Sequence, residues 1–501
     1  MDVAVAETSP EEIEADVLGF PVADPVELSS GARSLDRIVS GRLERLIAEG
    51  ELTGSIGDVT VVHTVDELAA HRVAAVGVGT ASAVDGDGLR TAAAHVAARA
   101  GKTGSRTVAW LLEANNFPLA SEEQARAVVE GVALGRYDAG RWKTNGDDTG
   151  SVDRLVLCGA GAGDVVEEAR RAATVAAWTN RCRDVVNAPP NELTPEHLAD
   201  FAREVAAAAP TLTFEALGPD EIREAGMGAL AAVGQGSHNP ARLIRVTYEP
   251  REPARADFVL GLVGKAITFD SGGISLKPAD HLEEMKSDMG GGAAVLAGIG
   301  AIAELEVPLR IVAVVPASEN MPGGNAYRPG DIVTAMNGKT IEVTNTDAEG
   351  RLILADALSY SRSVGATHLL DLATLTGGIV VAMGDLYAGL FGNDASWVET
   401  VRMAGEVSGD RVWPWPLHRG YDRYVQSTFA DVRNCPDRRR WASPIIAAHF
   451  LAEFAGEGPW AHLDIAGTAF LDRSRDDYYR CTGATGFGVR LLAELARRLT
   501  A

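Results

Sequence analysis

The sequence predicts an α/β fold in two domains: a smaller N-terminal α/β domain and a larger C-terminal α/β domain with a central mixed sheet covered by helices. Three observations predict it. Short β-branched runs alternate with alanine-rich helical stretches in the first third of the chain. Nearly continuous apolar runs, separated by helical segments, recur in the second half, as strands buried on both faces require. A length of 501 residues exceeds what a single core of ordinary size holds.

Residues 1–20 are acidic and poorly patterned, which predicts a disordered leader. The N-terminal domain is read over 21–172, with strands at Val59–Val62, Val73–Val78 and Arg154–Leu157 and helices at Leu89–Ala100 and Glu122–Leu134. The alanine-rich helix Val165–Val186 follows. The turn Asn187-Ala188-Pro189-Pro190-Asn191 ends it, because the residue before a proline is pushed out of the helical region. Residues 173–190 are therefore the expected linker helix and turn, and 191–501 the second domain. There, strands are expected at Phe258–Val263, Leu309–Val315, Ile341–Thr344 and His368–Leu372. Helices are expected at Gly292–Leu305, Leu352–Ser361, Pro444–Phe454 and Gly488–Leu499.

Hydrophobic residues make up 46% of the chain and charged residues 23%, as in a globular protein. The net charge of −23 repels nucleic acid and anionic membrane on average. The start lacks a basic region followed by an apolar one, so no signal peptide is expected, and no apolar run is long enough for a membrane span. Four widely spaced cysteines (Cys158, Cys182, Cys435, Cys481) read as free thiols of a cytoplasmic protein.

The chemistry concentrates in Asn345-Thr346-Asp347-Ala348-Glu349-Gly350-Arg351-Leu352. Side chains two apart on an extended segment point the same way, so Asp347 and Glu349 are expected to reach one cation. A second cluster, Gly264 to Pro278, carries Lys265, Asp270 and Lys277. A third, Met285 to Gly292, carries Asp288. Four carboxylates brought together repel unless cations intervene, and two divalent ions balance them. Ligands of such sheets sit beyond the carboxyl ends of the strands, where these clusters fall.

Competing readings are weaker. An isolated D-x-E pair is usually a solvated turn. Lys265 after Gly264 does not make a phosphate loop, since Val259 and Ala266 replace the required glycine and hydroxyl residue. Gly159 to Gly163 lacks the third glycine of a dinucleotide loop, with Asp164 in its place, and reads as a tight turn. No H-x-x-x-H occurs, and His462, on an apolar run, reads as a satisfied core histidine. No G-x-S-x-G occurs, which disfavours a serine hydrolase. Arg433, Arg438, Arg439 and Arg440 form one basic cluster, read as a solvated or intersubunit surface. Met285 and Met289 are spaced as on a helix, which alone means core.

Asn345 to Leu352 resembles the signature octapeptide of the leucine aminopeptidase (cytosol aminopeptidase, leucyl aminopeptidase) family. The segments Glu319 to Asp331, Leu372 to Gly377 and Pro459 to Thr468 are similar to that family as well. The likeness spans Asn187 to Leu492; the N-terminal half matches only in general α/β character. The resemblance implies that 191–501 is a catalytic metallopeptidase domain. It implies that Lys265, Asp270, Asp288 and Glu349 hold one metal and Asp270, Asp347 and Glu349 a second. Two divalent ions per subunit (Mn2+ or Zn2+) are then expected. Lys277 and Arg351 would be the catalytic pair: Lys277 polarises the scissile carbonyl, and bicarbonate on Arg351 is the general base toward a metal-bridging hydroxide. Met285, Thr374 and Gly377 would line the pocket for the first side chain, although Thr374 and Gly377 read equally as packing residues. The implied activity removes N-terminal residues, preferably leucine and other large apolar ones, from peptides. A homohexamer with sites facing an inner cavity is implied too. The alternative is the DNA-binding or regulatory role known for some members. The segment Asn434 to Ser443 departs from the family's glycine-richer pattern, and Ala266 stands where glycine is usual.

Overall fold

The computed structural model describes residues 1–113, 117–144, 152–159, 163–436 and 441–500. Arg438, Arg439 and Arg440 of the basic cluster, and Ala160, Gly161 and Ala162 of the glycine-rich turn, lie outside the described residues. The chain divides into two compact units: Met1–Asn180 with Arg473–Thr482, and Arg181–Asp472 with Gly483–Ala501. The division falls within the helix Asp164–Asn187. The ten-residue return of Arg473–Thr482 to the first unit had no signal in the sequence.

The first unit is built on six strands: β1 (Asp2–Val5), β2 (Val17–Asp24), β3 (Val59–His63), β4 (Arg72–Thr80), β5 (Thr107–Leu111) and β6 (Arg154–Cys158). Their order is β1-β6-β5-β2-β4-β3, parallel except for β3 against β4. The expected leader is corrected here. Asp2–Val5 pairs with β6 as an edge strand, and β2 begins at Val17, with Leu18 and Phe20 fully buried in the middle of the sheet. An edge strand of four residues has too little pattern to be seen without its partner. Helices Gly86–Gly101 and Ser121–Gly135 pack closely, because a Cβ at Gly131 would stand 2.2 Å from Arg90 O.

The second unit holds a larger mixed sheet. Its strands are β7 (Leu212–Leu217), β8 (Arg242–Tyr248), β9 (Val259–Gly264), β10 (Ala266–Asp270) and β11 (Arg310–Asn320). Two short strands, β12 (Ile332–Thr334) and β13 (Thr340–Glu342), lie off this sheet, which resumes at β14 (His368–Ala373), β15 (Ala388–Gly392) and β16 (Val412–Pro414). After β17 (Val432–Arg433), β18 (Trp460–Asp464) completes the large sheet. Its order is β16-β15-β18-β14-β9-β11-β8-β7, with β10 pairing to β11. The central strands β18, β14, β9 and β11 are mutually parallel.

Alternate residues of these strands face opposite layers. Val263, Val314 and Leu369 pack with the helix Gly350–Ser363, while the Val315 side chain faces Gly292 at the start of the helix Gly290–Glu304. β12, β13 and β17 form a separate small sheet, so the expected strand at Ile341–Thr344 belongs there and not to the central sheet. Among the described residues no helix is long and apolar enough to cross a membrane.

Candidate metal centre

The carboxyl ends of the parallel strands deliver the charged residues. Lys265 follows β9, Asp270 ends β10 opposite Asn320 at the end of β11, and Thr374 follows β14. Asp288 closes the turn Leu282–Ser287 before the helix Gly290–Glu304. Asp347 and Glu349 lie between β13 and the helix Gly350–Ser363. This corrects the expected extended segment: Glu349 already has helical dihedrals (φ −73°, ψ −36°) as the residue capping that helix. A turn and a helix start, not a strand, turn the two acids together. Gly350 leaves the Lys265 side chain its place, since a Cβ there would sit 2.6 Å from Lys265 Cε and 2.7 Å from its Nζ and would push the amine aside.

The geometry is a lattice of charges. Lys265 Nζ stands 2.8 Å from Asp288 Oδ1, 2.9 Å from Glu349 Oε1 and 2.8 Å from Thr374 O, to which it donates. Lys277 Nζ stands 2.8 Å from Asp270 Oδ2 and 2.6 Å from Asp347 Oδ1. Asp270, Asp347 and Glu349 offer oxygen atoms that all lie within 4.8 Å of one another. Asp288 joins them through Lys265 and accepts a hydrogen bond from Thr374 Oγ1 at 2.7 Å. Asp288 Oδ2 is buried with no partner. Lys265, Asp270, Asp288 and Glu349 are all buried.

Burial sets the protonation. It pushes the Asp288 carboxyl up to about 8, with Asp270 and Glu349 adding to the effect and Lys265 opposing it. Asp270 rises to about 6, again mainly by burial and then by the Glu349 charge. Asp347 is raised by burial against the pull of Lys277. Burial acts upward on Glu349 too, but Lys265 and Lys277 hold it below the usual range. Both lysines are held above theirs: burial works against their charge, and the surrounding carboxylates outweigh it. The two ammonium groups thus stand where positive charge is demanded. An oxygen-rich donor set with one orphaned carboxylate oxygen fits hard divalent ions. Lys265 would have to surrender its proton to join them as a ligand.

Arg351 lies in the first turn of the helix Gly350–Ser363 and is 6% exposed. Its Nη1 donates to Asn434 O at 2.7 Å, while Nε has no partner. Burial lowers its pKa from the ordinary value. Of the expected pocket residues, Thr374 touches the acidic cluster through Asp288. Met285 is half-buried on the turn before Asp288, and Gly377 is exposed at the start of the helix Gly377–Met383, with open space where a Cβ would be.

Two participants had no role in the sequence reading. Asn320 Nδ2 donates to Asp270 Oδ1 at 2.8 Å, Thr346 O at 3.0 Å and Glu349 Oε2 at 3.2 Å, tying β11 to the acidic loop. Tyr327 donates to Thr346 O at 2.7 Å. The only signal was their place in the segment Glu319 to Asp331. His462 is half as satisfied as expected. Its Nδ1 meets Asp371 Oδ1 at 2.5 Å, but the buried Nε2 has no partner.

A mixed α/β sheet whose central parallel strands gather carboxylates around lysines at their carboxyl ends defines an α/β protein with a candidate divalent-metal site. The chain belongs to the cytosol aminopeptidase family: the family's catalytic domain matches residues 180–493 and its N-terminal domain residues 17–146. It is accordingly a metallo-aminopeptidase. A probable cytosol aminopeptidase of Solibacter usitatus is 45% identical, covering 97% of each chain. One of Roseiflexus castenholzii is 45% identical over 91% of this chain and 93% of its own. A mutant of tomato leucine aminopeptidase superposes with a TM-score of 0.88 at 32% identity, covering 99% of this chain and 96% of that one. The bottromycin maturation enzyme BotP in complex with Mn gives 0.85 at 34% identity, covering 97% and 100%.

Proposed function

We propose that this chain removes leucine and other large apolar residues from the amino termini of peptides, using two divalent ions and a bicarbonate. The observation that carries the reading is the convergence of four carboxylates, three of them buried, around two lysines, with one oxygen of Asp288 left unpartnered. Lys265, Asp270, Asp288 and Glu349 would hold one ion, and Asp270, Asp347 and Glu349 the other. The manganese complex of BotP supports a divalent ion in a related fold. Bound ions supply Lewis acidity toward water and a carbonyl oxygen, and bicarbonate supplies a proton acceptor.

The protein's own groups do the rest. Asp288 faces the substrate's α-amine and thereby restricts attack to the terminal bond. Lys277, fixed by Asp270 and Asp347, donates toward the scissile carbonyl as negative charge builds on its oxygen. Arg351, buried and with Nε open, holds the bicarbonate. Met285, Thr374 and Gly377 border the first side chain, where Gly377 leaves room for a large one. A homohexamer in the cytoplasm accompanies this reading; the relatives' name supports the compartment. The net charge of −23 opposes the DNA-binding alternative.

Glu349→Gln tests the reading, because that residue would serve both ions. Release of leucine from leucine amide with added manganese should drop by more than about 100-fold, beyond what loss of an outer hydrogen-bond partner causes. Activity near wild type would sink the assignment. Sedimentation of the purified protein tests the hexamer.

A further inference from the structure

The small sheet places one more residue against the site. β17 runs parallel to β13, with Ile341 opposite Val432 and Glu342 opposite Arg433. That register brings Asn434 beside Thr344, where the chain enters the loop bearing Asp347 and Glu349. Asn434 is 1% exposed, and all its polar groups are used. Its Oδ1 accepts from Thr344 N at 2.8 Å, and its Nδ2 donates to Asn345 O at 2.7 Å. Its main-chain N donates to Glu342 O at 3.0 Å. Its main-chain O accepts the 2.7 Å hydrogen bond from Arg351 Nη1. One residue therefore grips the loop before the carboxylates and the arginine after them.

We infer that Asn434 is a positioning residue for the reaction: it fixes Arg351 and the loop 344–348 in a single register. The inference rests on the role proposed above for Arg351. A primary amide suits the task because it accepts and donates at once. Aspartate has the same shape but would set a carboxylate oxygen against Asn345 O.

The test pairs Asn434→Ala and Asn434→Asp with Arg351→Ala, alone and combined. Each Asn434 variant should lower kcat by about tenfold or more, as misplacement of a reacting group does, while KM stays within about twofold. Combined with Arg351→Ala, either variant should lower kcat no further, since residues acting as a unit are not additive. Amide hydrogen exchange across 344–349 should quicken in both variants, a readout independent of turnover. Full kcat in either variant, losses that multiply with Arg351→Ala, or unchanged exchange would overturn the inference. So would failure of both variants to fold, which would make Asn434 a determinant of folding alone. Absence of leucine release by the wild type would instead defeat the proposed function, with the exchange result still reporting on the brace.

Discussion

The ammonium nitrogen of Lys265 lies 2.8 Å from Oδ1 of Asp288, and both side chains are sealed from solvent. A buried ion pair of this kind is costly to break from one side, because the remaining charge has neither water nor partner.

Lys265→Met leaves Asp288 and Glu349 without their shared cation. In the presence of a chelator it should destabilise the fold by about 3–5 kcal/mol. Denaturant unfolding measures this directly. A change under about 1 kcal/mol, the range of an exposed pair, would show that the lysine does not neutralise the cluster.

Asp356 gives a pH dependence away from the metal centre. It is fully buried, and its two oxygens accept from Leu230 N and Met336 N, each at 2.8 Å. Burial pushes its carboxyl up to about 7 against those two donors. The unfolded carboxyl ionises near 4, so between about 4 and 7 the folded state binds more protons and stability falls as pH rises. The slope from this group is at most about 1.4 kcal/mol per pH unit. Asn at 356 should lower the baseline and flatten the slope between pH 5 and 7. An equal slope in the two proteins would remove Asp356 as its source.

Asp371 and His462 give a dependence of the same sign at higher pH. Trp460 Nε1 donates to Asp371 Oδ2 at 2.8 Å, and all three side chains are fully buried. Burial lowers the imidazole pKa, but the Asp371 carboxylate outweighs it and holds His462 above the ordinary range. The stabilisation is thus complete below the unfolded pKa of about 6.5 and is lost as pH rises through the folded one. Asp371→Asn should cost more at pH 6 than at pH 9, by up to about 3–5 kcal/mol. Equal losses at both values would show that the pair is not ionised.

The carboxylates and lysines were legible because charged residues in short clusters stand out from an apolar background. The structure brings these side chains together, but Asp347 and Glu349 converge through a turn into a helix and not along the expected strand. Strand β1 was hidden because a sheet edge has meaning only beside β6, some 150 residues on in the chain. Asn320 and Asn434 were hidden for a related reason. An amide leaves no charge pattern, and their partners lie 29 and 89 residues away. The parallel register of β13 and β17 creates the second of these contacts, and no local periodicity encodes it.

Gly350 carries the tightest consequence. The helix begins in the same volume that the Lys265 chain crosses, and only a hydrogen atom separates them. Even alanine at 350 would force the amine aside before any cation arrived. A library built to retune ion preference has freedom around the rim, whereas any side chain at this position must first displace the Lys265 amine.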